Sequence, residues 1–507
     1  MAKELKKVNV VTVGVGFTGG IALAECAKAG LSVVGLERGD RRGVEDFQDI
    51  HDEWRYAVNY GLMQDLSKET ITFRNTEEMR ALPMRKLGSF LLGDGLGGAG
   101  VEKQDFEATL EPLLAEPRTG KTVAYIHVPF CETHCLYCGF YNKAYREDES
   151  RIYADALIQE LRLWRGRPGQ DAGPVHAVYM GGGTPTALQA DDLRRILKEV
   201  RAVLPLANDC EITVEGRLSN FGPDKMEACF EGGANRFSLG VQSFDAEIRQ
   251  AMGRVSDRDT LIRQLQLLQS YDQAAVIVDL IYGFPMQTMD RWLADIATAQ
   301  SLKLDGADCY QLNVYRNTPL AKAIESGRLP AGADVPMQSA MFAAGVKAMQ
   351  KGFYRRLSIS HWARTSRERN LYNLYVKGRA HCLAFGPGAG GNLDGFFYLN
   401  QSDYRAWQEE VRAGRKPIAM LFRPFPQGKL FKAIAEGMEQ GWLDIPGLEA
   451  AYGIPLGEVW KPVLEQWERA GLVERDGAFI VLTLAGQFWQ VNLSQLLLDY
   501  LKRSLEA

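Results

Sequence analysis

No stretch of this chain approaches the roughly 20 consecutive apolar residues that a bilayer-spanning helix needs, so no membrane segment is expected. An excess of one charge is missing as well. The 59 Lys and Arg stand against 63 Asp and Glu, a net charge of −4, which gives no electrostatic reason to hold nucleic acid or an anionic membrane. The start, MAKELKKVNVVTVGVGF, is basic, but its apolar run leads into a glycine-rich turn without a cleavage pattern. No secretory signal is therefore read, and a cytoplasmic protein is expected. In that compartment the eight cysteines are not expected to form structural disulfides. Short repeats and low-complexity linkers are absent too. What is present is a chain of 507 residues with 46% apolar and 24% charged residues. That composition is ordinary for a globular protein, and the length is too great for one core. Two or three domains are expected.

From about residue 121, strand-like and helix-like segments alternate. TVAYIHV, VHAVYM, CEITVEG, NRFSLGVQS, AAVIVDLIYG and ADCYQLNVY are rich in β-branched and aromatic residues, and each is followed by polar or helical sequence. Six such units predict an α/β fold with a parallel sheet, too short for an eight-stranded barrel. A partial (β/α)6 barrel or an open sheet remains, with function at the carboxyl ends of the strands. The expected spans are 121–395 for this part and 101–120 for a linker. Residues 396–507 should form a C-terminal winged-helix-like domain, because LEQWERAGLVERDGAFIVLTLAGQFWQ reads as helix, hairpin and terminal helix. Its lack of a basic face makes it a lid or packing domain.

The first hundred residues read differently. A strand, Gly14-x-Gly16-x-x-Gly19, a helix and a second strand ending at Glu37 have the order of a Rossmann-like dinucleotide site. The stretch resembles the FAD-binding start of the glucose–methanol–choline oxidoreductases. The resemblance ends near Gly100, and the rest of that family's flavin domain has no counterpart. A working FAD site is not expected in such a fragment.

The densest chemistry lies in YIHVPFCETHCLYCGFYNK, residues 125–143, where Cys131, Cys135 and Cys138 are set among aromatics. Zinc would need a fourth ligand, and His134 inside the loop closes a tetrahedron poorly. An iron–sulfur cluster on three thiolates would leave one iron open for an exchangeable ligand. The other cysteines are scattered and read as small buried hydrophobes.

The Cys131-x-x-x-Cys135-x-x-Cys138 spacing after a first strand, with Tyr137 before the last cysteine, resembles the radical S-adenosylmethionine (SAM) superfamily. YIHVPFC, GGGTPT, NRFSLGVQSF and DLIYGFPMQT resemble its anaerobic coproporphyrinogen oxidase-like branch. CEITVEGR, SHWARTSRERNLYN and CLAFGPGAGG resemble the haem-utilisation members of that branch, the anaerobilin synthases. The resemblance spans about residues 101–507. It implies a [4Fe–4S] cluster on Cys131, Cys135 and Cys138, with SAM on the fourth iron. It further implies that Tyr125 and Tyr137 flank the nucleoside, and that Gly182, Gly183 and Thr184 meet the methionine end. Glu215, Gln242, Arg254 and Asp279 match positions that bind SAM. A histidine beside tryptophan is often a satisfied core residue, but the resemblance makes His361 a candidate haem-facing catalytic residue. Arg364, Arg367 and Arg369 would then suit propionates. The implied reaction is anaerobic opening of haem by radical methyl transfer with iron release, fed by a flavodoxin- or ferredoxin-like donor. Two other activities stay open: oxygen-independent decarboxylation of coproporphyrinogen III, and haem chaperoning without turnover. RNLYNLY lacks the histidine of the chaperones' HN-x-x-Y-W motif.

Overall fold

The computed structural model describes residues 9–13, 24–36, 97–316, 318–378 and 380–506. The chain divides after Gln64 into two units. In the first, β1 (Val10–Val13) and β2 (Val33–Leu36) pair in parallel, Val10 opposite Val33, and residues 24–28 between them are helical. This is the strand–helix–strand order expected there. Gly14, Gly16, Gly19 and Glu37, on which the FAD expectation rests, lie outside the described residues.

The described residues of the second unit begin with strand β3 (Gly97–Gly100) and α1 (Phe106–Ala115). Strand β4 (Thr122–Val128) follows, and then the minimal pair β5 (Phe130–Cys131) and β6 (Lys143–Ala144) closes the cysteine loop at its base. Strand and helix now alternate: α2 (Glu147–Arg162), β7 (Val175–Gly182), α3 (Ala190–Val203), β8 (Leu206–Gly216), α4 (Pro223–Gly232), β9 (Arg236–Gln242). Helices α5 (Ala246–Ala251) and α6 (Arg258–Ser270) precede β10 (Ala275–Tyr282), and α7 (Met289–Ser301) precedes β11 (Gly306–Gln311). The physical cause is plain in the pattern. In α3, Leu193, Ile196, Leu197, Val200 and Val203 recur at helical spacing and are all buried, a stripe that only a sheet or another helix can cover. In β10, AVIVDLIY is apolar on both faces except at Asp279, as a parallel strand covered on both sides must be.

The six expected strands are β4 and β7 through β11, hydrogen-bonded in that order and all parallel. The sheet is wider than six. After α8 (Pro319–Glu325), α9 (Val335–Lys351) and β12 (Arg355–Arg356), strand β13 (His361–Ala363) adds antiparallel to β11. Following α10 (Leu371–Val376), β14 (His381–Phe385) adds in parallel on the free side of β4. Then β15 (Gly390–Leu393), β16 (Phe396–Asn400), α11 (Tyr404–Arg412) and β17 (Ile418–Pro424) continue the same sheet, and β3 pairs with β17. The sheet thus reaches past the boundary expected at residue 395 and takes in Gly97–Gly100 from the expected Rossmann-like segment. Hairpin strands added by backbone hydrogen bonds carry no motif, so a boundary drawn from motifs misses them.

The C-terminal part starts with α12 (Gly428–Gln440) and has its own apolar core around Phe431, Trp460 and Trp467. β18 (Trp442–Asp444), α13 (Ile445–Tyr452), α14 (Leu456–Arg469) and the hairpin β19 (Val473–Asp476)–β20 (Phe479–Leu482) give a three-stranded sheet of order β18-β20-β19. That is the winged-helix order expected, with the turn at Asp476-Gly477 and α15 (Leu484–Phe488) and α16 (Gln490–Glu506) after it. Among the described residues no helix is long and apolar enough to cross a membrane.

Candidate active site

The carboxyl ends of β4 and β7–β11 surround a cavity of about 500 Å³. The cysteine loop forms one wall. Its base is tied by the Tyr145 N–H to the Cys131 carbonyl at 2.9 Å, its tip by the Leu136 N–H to the Met252 carbonyl at 3.3 Å, and Cys138 N–H turns back onto the Cys135 carbonyl at 3.1 Å. Cys131 and Cys135 are buried and Cys138 is half-buried, and all three line the cavity. Burial pushes the Cys131 thiol up, while the Thr184 hydroxyl and Arg217 counter it. Among the described residues, no three His, Cys, Asp or Glu side chains converge as a single metal ion requires. A cuboid cluster, in which each thiolate takes its own iron, does not need such convergence.

At the base of the loop, the end of β7 is glycine for a spatial reason. A Cβ on Gly183 would stand 2.4 Å from the Phe130 carbonyl oxygen, and one on Gly182 would stand 2.5 Å from the His127 ring. Gly182 also has φ +103°, a left-handed conformation that L side chains resist. Gln242 adopts φ +71° although it carries a side chain. It sits where the register between β9 and β10 shifts, Asp279 facing Gly240 while Leu280 faces Gln242. Such a bulge re-aims a side chain, often beside a functional site. The Gln242 Oε1 it delivers is buried and has no hydrogen-bond partner, although Gln242 lines the cavity. A buried unpaired amide oxygen costs about 1–3 kcal/mol, which a bound donor would recover.

Two carboxylates complete the lining. Glu215 accepts the Tyr179 hydroxyl at 2.5 Å and the Gly182 N–H at 3.2 Å, and burial pushes it up to about 7. Asp279 accepts the Ser238 hydroxyl at 3.0 Å, and burial raises it as well. Arg254 reaches the cavity from beyond α5, donating to the Gly240 carbonyl at 2.7 Å and holding the Tyr137 hydroxyl at 2.8 Å. The structure therefore brings together Cys131, Cys135, Cys138, Tyr137, Gly182, Gly183, Glu215, Gln242, Arg254 and Asp279 on one cavity.

Three expected residues stand elsewhere. Thr184 is buried behind Cys131, its hydroxyl 3.5 Å from the sulfur. Tyr125 lies under the cavity floor, bonded to His127 Nδ1 at 3.0 Å and packed against the Tyr372 ring. His361 lines a small cavity with Ser358, Asn373 and Lys377, and Asn373 also lines the large one. The arginines expected at propionates do not line the large cavity either, although Arg369 shares the small one with His361. Strand β13 runs antiparallel to β11, with His361 opposite Asp308 and Ala363 opposite Gly306, so the chain leaves it at the amino end of the barrel. There Arg364 binds the Leu304 carbonyl, Arg367 pairs with Asp272 at 2.7 Å and Arg369 pairs with Asp209 at 2.9 Å. The sequence reading assigned no role to Tyr179, Tyr310 or Arg217, all on the cavity. Arg217 was legible in principle, two residues after Glu215 at the same strand end.

Residues 125–299 match the family model of the Radical SAM superfamily. The chain is 41% identical over 403 residues to the anaerobilin synthase of Escherichia coli O157:H7, covering 79% of this chain and 89% of that protein. It is 26% identical over 373 residues to the heme chaperone HemW of Bacillus subtilis (strain 168), covering 72% of this chain and 96% of that one. Among solved structures, the coproporphyrinogen III oxidase (HemN) of Escherichia coli superposes with a TM-score of 0.68 at 20% identity. That match covers 83% of this chain and 100% of the oxidase, a likeness of fold.

Proposed function

This chain belongs to the radical SAM superfamily, in the family of anaerobilin synthase, and from that premise we propose that it opens haem anaerobically by radical methyl transfer, releasing iron. The family's cofactors are a [4Fe–4S] cluster and SAM. When bound, they supply one-electron reductive cleavage of the SAM sulfonium to methionine and a 5′-deoxyadenosyl radical. The observation that carries the reading is the convergence of three cysteines and the unpartnered Gln242 amide on one cavity at the strand ends.

The chain's own residues then divide the work. Cys131, Cys135 and Cys138 would hold the cluster through their sulfurs. The bare backbone of Gly182 and Gly183 fits against Phe130 and the His127 ring, where a Cβ would not, and so holds this strand end beside the cysteine loop to receive the methionine end. Gln242 offers its amide oxygen to a ligand donor, and Glu215 and Asp279 present carboxyl groups to a cationic ligand. Arg254 fixes the Tyr137 phenol on the same wall. For a flat porphyrin, the cysteine loop offers the ring of Phe140, 65% exposed. The electron comes from a flavodoxin- or ferredoxin-like donor.

The test is one anaerobic incubation of reconstituted protein with haem, SAM and a reductant, followed by mass analysis. A methylated linear tetrapyrrole and free iron are expected. Decarboxylation of coproporphyrinogen with haem untouched would overturn the substrate and keep the superfamily. Haem binding without turnover would replace the enzyme by a chaperone.

A further inference from the structure

Each cysteine of the loop has a hydrogen-bond donor at its sulfur, Cys135 being near the Tyr137 hydroxyl as well as a guanidinium, and the donors are unlike. Cys131 Sγ faces the Thr184 hydroxyl at 3.5 Å, and Cys138 Sγ accepts the Phe140 N–H at 3.3 Å. Cys135 Sγ accepts from Arg217 Nη2 at 3.1 Å. Only the last donor carries a full charge. The guanidinium is held in place rather than resting on the sulfur by chance. Nη1 donates to the Thr133 hydroxyl at 2.6 Å and Nη2 to the Thr133 carbonyl at 3.1 Å, while the Arg217 N–H is fixed on the Thr186 hydroxyl at 3.0 Å. Among the described residues no carboxylate pairs with Arg217, so the sulfur of Cys135 is the anionic partner its charge meets.

We propose that Arg217 is a positioning residue that raises the reduction potential of the cluster through the Cys135 thiolate. Reduction adds one electron to the cluster and makes or breaks no covalent bond; a protein electron donor of the flavodoxin or ferredoxin class is oxidised by the same electron. A fixed positive charge on a ligand sulfur favours the more negative, reduced form, and hydrogen bonds to ligand sulfurs act in the same direction. The Thr184 and Phe140 donors provide only the hydrogen-bond part. Cys135 is therefore a corner at which this chain sets the potential, by direct contact with Arg217 and within the field of the Arg254 charge, which also reaches Cys138. The inference rests on the family's cluster and not on haem as the substrate, so its test contains no haem.

Full-length R217Q, R217K and T133V are reconstituted anaerobically beside the unaltered protein. Iron and sulfide are assayed, and the midpoint is measured by a mediated titration followed by electron paramagnetic resonance. R217Q keeps a donor and loses the charge. It should shift the oxidised-to-reduced equilibrium about tenfold against reduction, about 59 mV more negative for a one-electron couple. R217K should shift by less than half of that. T133V changes no charge but frees the guanidinium, and it should move the midpoint in the same direction by a smaller amount. R217Q with full iron and sulfide and an unchanged or higher midpoint overturns the proposal. Should R217Q fail to take up a full cluster, T133V with an unchanged midpoint overturns it equally.

Discussion

The ring of His361 and the hydroxyl of Tyr310 meet at 3.1 Å, through Nε2. The other ring nitrogen, Nδ1, lies 2.5 Å from the Ser358 hydroxyl, so both nitrogens of this buried ring are occupied. Burial pushes the His361 ring well below the usual histidine range, with Lys377 and Arg236 adding to the effect. Tyr310 lines the large cavity while His361 does not. The Tyr310 hydroxyl thus links the His361 ring to the large cavity.

The consequence is a separation of effects in H361A. Removing the ring takes a partner from the Ser358 hydroxyl, leaves Tyr310 only its Asp308 contact at 3.3 Å and opens a void, so a loss of about 1–3 kcal/mol of stability is expected. Iron and sulfide content should stay unchanged, and so should the visible spectrum of bound haem. Urea unfolding beside a haem titration measures both. A changed haem spectrum with unchanged stability would mean that the ring swings out to the iron.

Gln242 combines a left-handed φ of +71° with an unpartnered amide oxygen, and both features cost free energy in the empty protein. Q242G relieves both at once. Its apo form should be more stable than the unaltered protein, by about 1 kcal/mol, while SAM binding weakens about tenfold, the worth of one recovered hydrogen bond. Thermal unfolding of the apo form and equilibrium binding of SAM are the two measurements. A less stable Q242G would show that the bulge depends on the side chain.

Glu215 gives a pH dependence with a definite sign. Its folded value near 7 stands above the ordinary carboxyl value of 4.5, chiefly through burial. The folded state thus binds the proton more tightly than the unfolded state. The stabilisation is complete below the unfolded value and is lost as the pH rises towards 7. Between pH 5 and 8 the apo protein should lose about 2–3 kcal/mol more stability than E215Q does. Urea titrations across that range check it, and parallel slopes for the two proteins would contradict it.

The parts of the site legible in the sequence were those whose chemistry is local. The cysteine spacing, the GGG turn and the polar residues ending apolar strands each announce themselves within a few positions, and the structure brings them to one cavity. The direction of a strand is not local. SHWARTSRERN looks like a cluster of porphyrin partners until β13 is seen to run antiparallel to β11 and carry its arginines to the opposite end of the barrel. Arg236 and Glu368 show the same limit. They form a buried pair at 2.9 Å, each 1% exposed, between β9 and a segment 132 residues later, and no periodicity reveals it.

The last prediction concerns where the chain can be shortened. Strand β3 belongs to the large sheet, pairing Gly100 with Phe422 and Gly97 with Pro424 on β17. Its glycines let two backbones approach closely: a Cβ on Gly98 would stand 2.2 Å from the Arg423 carbonyl oxygen. The unit division falls well before this strand, after Gln64. Deleting residues 1–64 should leave cluster content, SAM cleavage and the main unfolding transition unchanged. Deleting residues 1–100 should lower the unfolding temperature by a few degrees and promote association, because it bares the β17 edge, and an unpaired edge recruits other strands. Calorimetry and light scattering on the two truncations distinguish them. Equal behaviour would mean that β3 contributes nothing to the sheet, and loss of SAM cleavage in the shorter deletion would give the first 64 residues a role in the reaction.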